Sequence, residues 1–120
     1  MSDKPHEVTI YHNPRCTKSR QTLKLLRDNG IQPNIVEYLK IPPSEKELQS
    51  ILKLLGITAR ELMRTKERVY KQQGLGDPNR TSAELISAMI GHPILIERPI
   101  VLAYGKAALG KPPEKVLGIL

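Results

Sequence analysis

Three consecutive segments near the start of the chain restrict its fold more than any other feature. Val8-Thr9-Ile10-Tyr11 is a short β-prone run, closed by the turn-forming His12-Asn13-Pro14. From Thr17 the apolar spacing becomes helical, with Leu23 and Leu26 one turn apart, and Gly30 stands where a C-terminal cap belongs. Residues Ile31 to Leu39 then alternate loosely, in the manner of a second strand. A strand, a helix and a strand within about 35 residues make a βαβ unit and commit the chain to an α/β domain.

The remainder divides into a helical middle and a strand-rich end. Ser44 and Glu47 form a capping-box signature ahead of Leu48, Ile51, Leu52 and Leu55, a stripe of helical period that Gly56 ends. Thr58 with Glu61, and Thr81 with Glu84, repeat the signature before Leu62-Met63 and before Leu85, Met89 and Ile90. Between them, Gly74 to Arg80 is rich in turn formers and reads as an exposed loop. Ile94-Leu95-Ile96 and Ile100-Val101-Leu102 read as strands around Arg98-Pro99, where the proline implies an edge, a bulge or a cis bond. Lys106 to Leu109 can pair beside them, and Pro112-Pro113-Glu114 opens a final helix over Val116 to Leu120. The expected fold is a small mixed β-sheet flanked by helices, with a helical insert in the middle of the chain.

At 120 residues, against ~150 for a typical domain, one domain covering 1–120 is expected. Charged residues make up 26%, near the ~25% of folded soluble domains. The longest purely hydrophobic run, Ile100 to Tyr104, is far short of the ~20 residues that a membrane span needs. Met1 to Glu7 holds no apolar signal segment, so a soluble cytoplasmic protein is expected. The net charge of +7 attracts anions of every size. Four tyrosines are the only aromatics and the basic residues are scattered, which points away from nucleic acid and toward a small anion.

Cys16 is the only cysteine, so no internal disulfide and no cysteine-rich zinc site can form. His6, His12 and His92 are too dispersed to read as metal ligands, and His6 and His92 read as structural. Any redox chemistry at Cys16 must draw its second thiol from another molecule.

Cys16 lies in His12-Asn13-Pro14-Arg15-Cys16-Thr17-Lys18-Ser19-Arg20, where the chain leaves a strand and enters a helix. Free N–H groups at a helix start bind anions, and the positive end of the dipole favours thiolate over thiol. Arg15, Lys18 and Arg20 add positive charge, as would a protonated His12. A free cysteine is most often a small core residue, but these polar and charged neighbours make a poor core. Cys16-Thr17-Lys18-Ser19 has the C-x-x-S form of a single-thiol redox site. A cysteine-dependent phosphatase would need arginine at position 22, which holds Thr22, and neither a P-loop nor a dinucleotide glycine pattern occurs.

These residues bring out a wider pattern. Ile10 to Pro14 with Cys16, Ser19 and Arg20 are followed by Tyr38-Leu39 with Pro42-Pro43-Ser44, and by Arg60 with Leu62 and Arg64. His92 to Ile96 and Arg98 to Val101 complete it. Over nearly its whole length the chain resembles the glutaredoxin-coupled arsenate reductase family, in its shorter branch, and the resemblance implies a thioredoxin-like fold. It implies that Cys16 is the nucleophile, that His12 and Ser19 support its thiolate, and that Arg64 and Arg98 bind the oxyanion. Pro99 would be the cis-proline of thioredoxin-like folds. The position of a third oxyanion-binding arginine holds Lys111, which keeps the charge but loses the planar fork. Taken alone, Arg64 is a cation after a short helix, and Arg98 is an arginine that would need an anionic partner if it faced inward.

The resemblance further implies an enzyme with no bound cofactor. Arsenate would form a thiolate–arsenic(V) adduct at Cys16, glutathione would serve as co-substrate, and glutaredoxin would resolve the remaining mixed disulfide. Two alternatives stand beside it. One is a glutathione-dependent thiol oxidoreductase acting on another substrate through the same Cys16. The other is a redox-linked regulatory protein that binds RNA polymerase, against which Ser19 counts because it removes the second thiol of a C-x-x-C switch.

Overall fold

The apolar run at the start of the chain forms strand β1 (Val8–Tyr11), and its two faces set the layers of the first unit. The computed structural model describes residues 8–120, so His6 and the segment Met1 to Glu7 lie outside the described residues. These residues form two compact units, one of residues 8–41 with Arg98–Leu120 and one of Pro42–Glu97.

In the first unit, β1 leads to α1 (Thr17–Asp28), β2 (Asn34–Val36), β3 (Ile100–Ala103) and β4 (Lys106–Leu109). The strand order is β2-β1-β3-β4. β1 and β2 are parallel, and the β1–β3 and β3–β4 pairs are antiparallel, so the sheet is mixed. Val8 faces Ala103 and Ile10 faces Val101 across the ladder. Because side chains alternate along a strand, these four share one sheet face. Leu23 and Leu26 of α1 and Val116 of the 3-10 segment Pro113–Ile119 pack on that face, and all seven side chains are buried. Gly30, at φ 75°, turns the chain out of α1 as a C-terminal glycine does.

The second unit holds α2 (Glu45–Leu55), α3 (Ala59–Leu62), α4 (Arg68–Gln72) and α5 (Ser82–Gly91). Ser44, Thr58 and Thr81 each accept from the backbone N–H three residues on, while Glu47, Glu61 and Glu84 reach back to the cap N–H, so all three capping boxes form. Leu48, Ile51 and Leu52 are buried on α2, as are Leu85, Ile86 and Met89 on α5. Arg60 ties down the turn-rich loop, donating to the Leu75 carbonyl at 2.7 Å and the Asp77 carbonyl at 2.9 Å.

Three local expectations change, and one helix goes unannounced. The second strand is only Asn34–Val36, because the backbone turns at Glu37, whose carbonyl accepts from both Lys40 and Ile41. Ile94-Leu95-Ile96 is not a strand. Pro93 starts a 3-10 turn over Pro93–Leu95, and only Ile96 makes an isolated bridge, to Met63. The terminal helix is a 3-10 segment that begins at Pro113. Helix α4 had no apolar stripe to announce it, and none of its residues is buried.

Candidate active site

Cys16 is the N-cap of α1, half-buried, with extended backbone at φ −95° and ψ 124°. Its sulfur makes no capping bond of ordinary geometry, yet it lies near enough to the Lys18 and Ser19 N–H groups of the first helical turn for both to act on the thiol. The loop before it is held from several sides. The Cys16 N–H donates to the Asn13 carbonyl at 3.0 Å, and the Arg15 N–H to Asn13 Oδ1 at 3.0 Å. The Arg20 guanidinium clamps the same loop, donating to the Pro14 carbonyl at 2.9 Å and to Thr17 Oγ1 at 3.2 Å. The Asn13–Cys16 turn therefore presents the thiol from a fixed frame.

Beneath it lies a buried polar network. His12, Asn13 and Ser19 are at most 7% exposed. Ser19 Oγ accepts from the Asn13 N–H at 3.0 Å and lies 2.6 Å from His12 Nδ1. Burial is the main influence on His12 and lowers its basicity; Arg27 and Arg20 add to the lowering, and Glu37 opposes it. A neutral imidazole can accept the Ser19 hydroxyl proton at Nδ1, which leaves its remaining proton on Nε2. His12 therefore lies against the side chain of Ser19, the residue whose backbone N–H is among the groups acting on the Cys16 sulfur.

Partial burial pushes the Cys16 thiol up. The backbone N–H of Ser19, the Arg98 guanidinium and the Lys18 N–H together outweigh it, and the thiol falls below its ordinary value. Arg98 comes from the segment leading into β3, next to β1 in the sheet, and this pairing brings it to Cys16. Burial lowers the basicity of Arg98, while Tyr38 and Cys16 raise it further, for a net rise. Its Nε and Nη1 are buried, and no acceptor among the described residues meets them. A guanidinium with two such N–H groups beside a thiol of lowered pKa is suited to an oxyanion. The Arg98–Pro99 peptide bond is cis, as is Lys111–Pro112.

Cys16, His12, Ser19, Arg98 and Pro99 therefore meet in one unit. Lys111 belongs to the same unit and is exposed. Arg64 belongs to the second unit, where Nε contacts Glu67 at 3.1 Å and Nη1 contacts Glu97 at 3.4 Å. His92 ends α5, with its N–H on the Ala88 carbonyl. Sequence reasoning gave no role to Tyr38 or Asn13. Tyr38 stood in the family pattern, but its burial against Arg98 depends on tertiary structure; the Asn-Pro pair before the cysteine was a local signal for the turn. Among the described residues, no three His, Cys, Asp or Glu side chains gather as metal ligands would, and no helix is long and apolar enough to cross a membrane.

Fold and site define a thioredoxin-like domain with one thiol, of lowered pKa, at a strand-to-helix junction. Residues 11–119 match the model of the ArsC family, and the chain belongs to that family. It is 53% identical over 115 residues to "uncharacterized protein YfgD" of Escherichia coli K12, covering 95% of this chain and 97% of that one. It is 50% identical over 113 residues to an arsenate reductase of Rhizobium meliloti, covering 94% and 81%. The structure of an arsenate reductase from Vibrio cholerae superposes with a TM-score of 0.92 at 50% identity, covering 94% and 97%.

Proposed function

We propose that the chain is a cytoplasmic arsenate reductase that works through the Cys16 thiolate with glutathione and glutaredoxin. The observation that carries this reading is the pairing of a thiol of lowered pKa with the two unmet, buried N–H groups of Arg98. The family membership and the arsenate reductases among its relatives support it.

Arsenate binds with its oxygens on Arg98, with Lys111 of the same unit supplying further positive charge. The Cys16 sulfur attacks arsenic, and an arsenic-bound oxygen leaves as water, giving a sulfur–arsenic(V) bond. Glutathione thiolate then attacks the Cys16 sulfur. A disulfide forms between Cys16 and glutathione, the electron pair of the sulfur–arsenic bond passes to arsenic, and arsenite leaves. Glutaredoxin takes glutathione off Cys16 by thiol–disulfide exchange and restores the thiolate. Two thiols are oxidised to one disulfide as arsenic(V) becomes arsenic(III), and a single protein cysteine suffices because both other thiols are external.

The test is arsenate-dependent NADPH oxidation coupled through glutathione, glutaredoxin and glutathione reductase. Turnover is expected from the wild-type chain and none from Cys16→Ser. Retained turnover in Cys16→Ser would overturn the mechanism. Turnover supported by thioredoxin and thioredoxin reductase, with no glutathione present, would overturn the choice of reductant.

A further inference from the structure

A second concavity adjoins the thiol loop in the same unit. It is a cleft of about 260 Å³ between the His12–Arg15 loop on one side and Glu37, Leu39 and Lys40 on the other. One wall ends at Arg15, the residue before Cys16, and the other is the turn that follows β2. Tyr38 is buried and interacts with Arg98, whereas its neighbours Glu37 and Leu39 line this cleft. The turn thus separates the guanidinium that suits an oxyanion from a space with different chemistry.

That space carries both signs of charge and an exposed apolar side chain, Leu39. Glu37 supplies a carboxylate and pairs with Lys40 at 3.4 Å, with the two side chains 42% and 79% exposed. An ion pair so exposed contributes little and exchanges readily for a ligand's charges. Lys40 and Arg15 supply cations at opposite walls, and Leu39 leaves 39% of its surface uncovered. A ligand that carries an ammonium and carboxylates on a short, partly apolar body complements this set, whereas a simple oxyanion would meet Glu37. The sole cysteine also requires that a thiol from outside approach its sulfur. A tripeptide spans about 10 Å when extended, long enough to seat its charged ends here and bring a thiol toward residue 16.

Resting on the function proposed above, we infer that this cleft is the subsite for the external thiol, and that it takes a zwitterionic thiol peptide through Glu37, Lys40 and Arg15. The ammonium is held by Glu37, the carboxylates by Lys40 and Arg15, and the peptide body lies on Leu39. The two substrates then reach the sulfur separately, arsenate on Arg98 and the thiol across the β2 turn.

The test separates binding from chemistry by using S-methylglutathione, which cannot form a disulfide. Titration calorimetry on the full-length Cys16→Ser chain is expected to give saturable binding. Glu37→Lys and Lys40→Glu should each weaken it about tenfold, and Leu39→Asp should weaken it as well. All three positions carry exposed or half-exposed side chains, and circular dichroism checks that each variant is folded. Equal affinity in wild type and the charge reversals, or no binding at all, overturns the subsite. In the coupled assay with Cys16 intact, Glu37→Lys should raise the KM for glutathione and leave the KM for arsenate unchanged. A parallel rise in both overturns the inference, since it would place Glu37 on the arsenate side. Absence of arsenate turnover in the wild-type chain would instead defeat the proposed function, and the calorimetry would still decide the cleft.

Discussion

Removing the Arg98 guanidinium takes away one of the groups that lower the Cys16 pKa, while the Ser19 and Lys18 N–H groups stay in place. Arg98→Gln should therefore move the thiol only part of the way back toward its ordinary value of ~8.5. The inflection of iodoacetamide alkylation against pH is expected to shift upward, and alkylation at pH 7 to slow about threefold to tenfold. An unmoved inflection would assign the whole effect to the helix N-terminus. At this scale the sequence was readable only in part. The turn-proline, the cysteine and the helix start are adjacent in the chain, so the site's location followed from local pattern. Arg98 lies far along the chain and meets Cys16 only because β3 pairs with β1, so its partner was visible only through family likeness.

Among the elements, the link from β4 into the final 3-10 segment holds the most crowded glycine, Gly110. A Cβ on Gly110 would stand 2.5 Å from Thr22 Oγ1 and 2.7 Å from Pro99 Cγ. Thr22 is buried and its hydroxyl donates to the Lys18 carbonyl at 2.8 Å; the Gly110 N–H donates to the Pro99 carbonyl at 2.9 Å. Neither side can withdraw without disturbing α1 or the residue beside Arg98. Gly110→Ala is expected to cost about 1–3 kcal/mol, the usual range for overpacking. It should read as a lower urea midpoint at unchanged slope. Gly118→Ala, where a Cβ would meet nothing within 4 Å, is the control and should stay near wild type. Element starts were legible wherever four residues decide them. Each capping box depends only on its own Ser or Thr and Glu, and all three formed. Where two local signals conflict, the reading failed: the β-branched character of Ile94 and Ile96 yielded to the 3-10 turn that Pro93 starts.

For the whole molecule, the buried His12 links the folding equilibrium to pH. Burial lowers its pKa in the folded chain, so the folded state prefers the neutral ring. Its contribution is fully present above the unfolded value of ~6.5 and is lost as pH falls through the lower folded value. The stability gap between wild type and His12→Gln, followed by urea midpoints, should therefore narrow as pH falls below about 6.5. A gap of constant size across that range would show that His12 does not titrate with folding. The layered α/β arrangement was legible at this scale because hydrophobic period, caps and turn formers agreed along most of the chain.

The pairing of β1 with β3 also sets an order of events during synthesis. The helices of the second unit begin with self-contained bonding over four residues and can start to form as they emerge, since local contacts carry little loop-closure cost. The strand that leads to the thiol can pair early with β2, but its other edge has no such independence: there Tyr11 pairs with Ile100, made much later. Until then Cys16 lacks the Arg98 contact that lowers its pKa in the folded chain. The nascent chain thus carries Cys16 as a more ordinary thiol, and the full lowering of its pKa comes only after most of the sequence has been made.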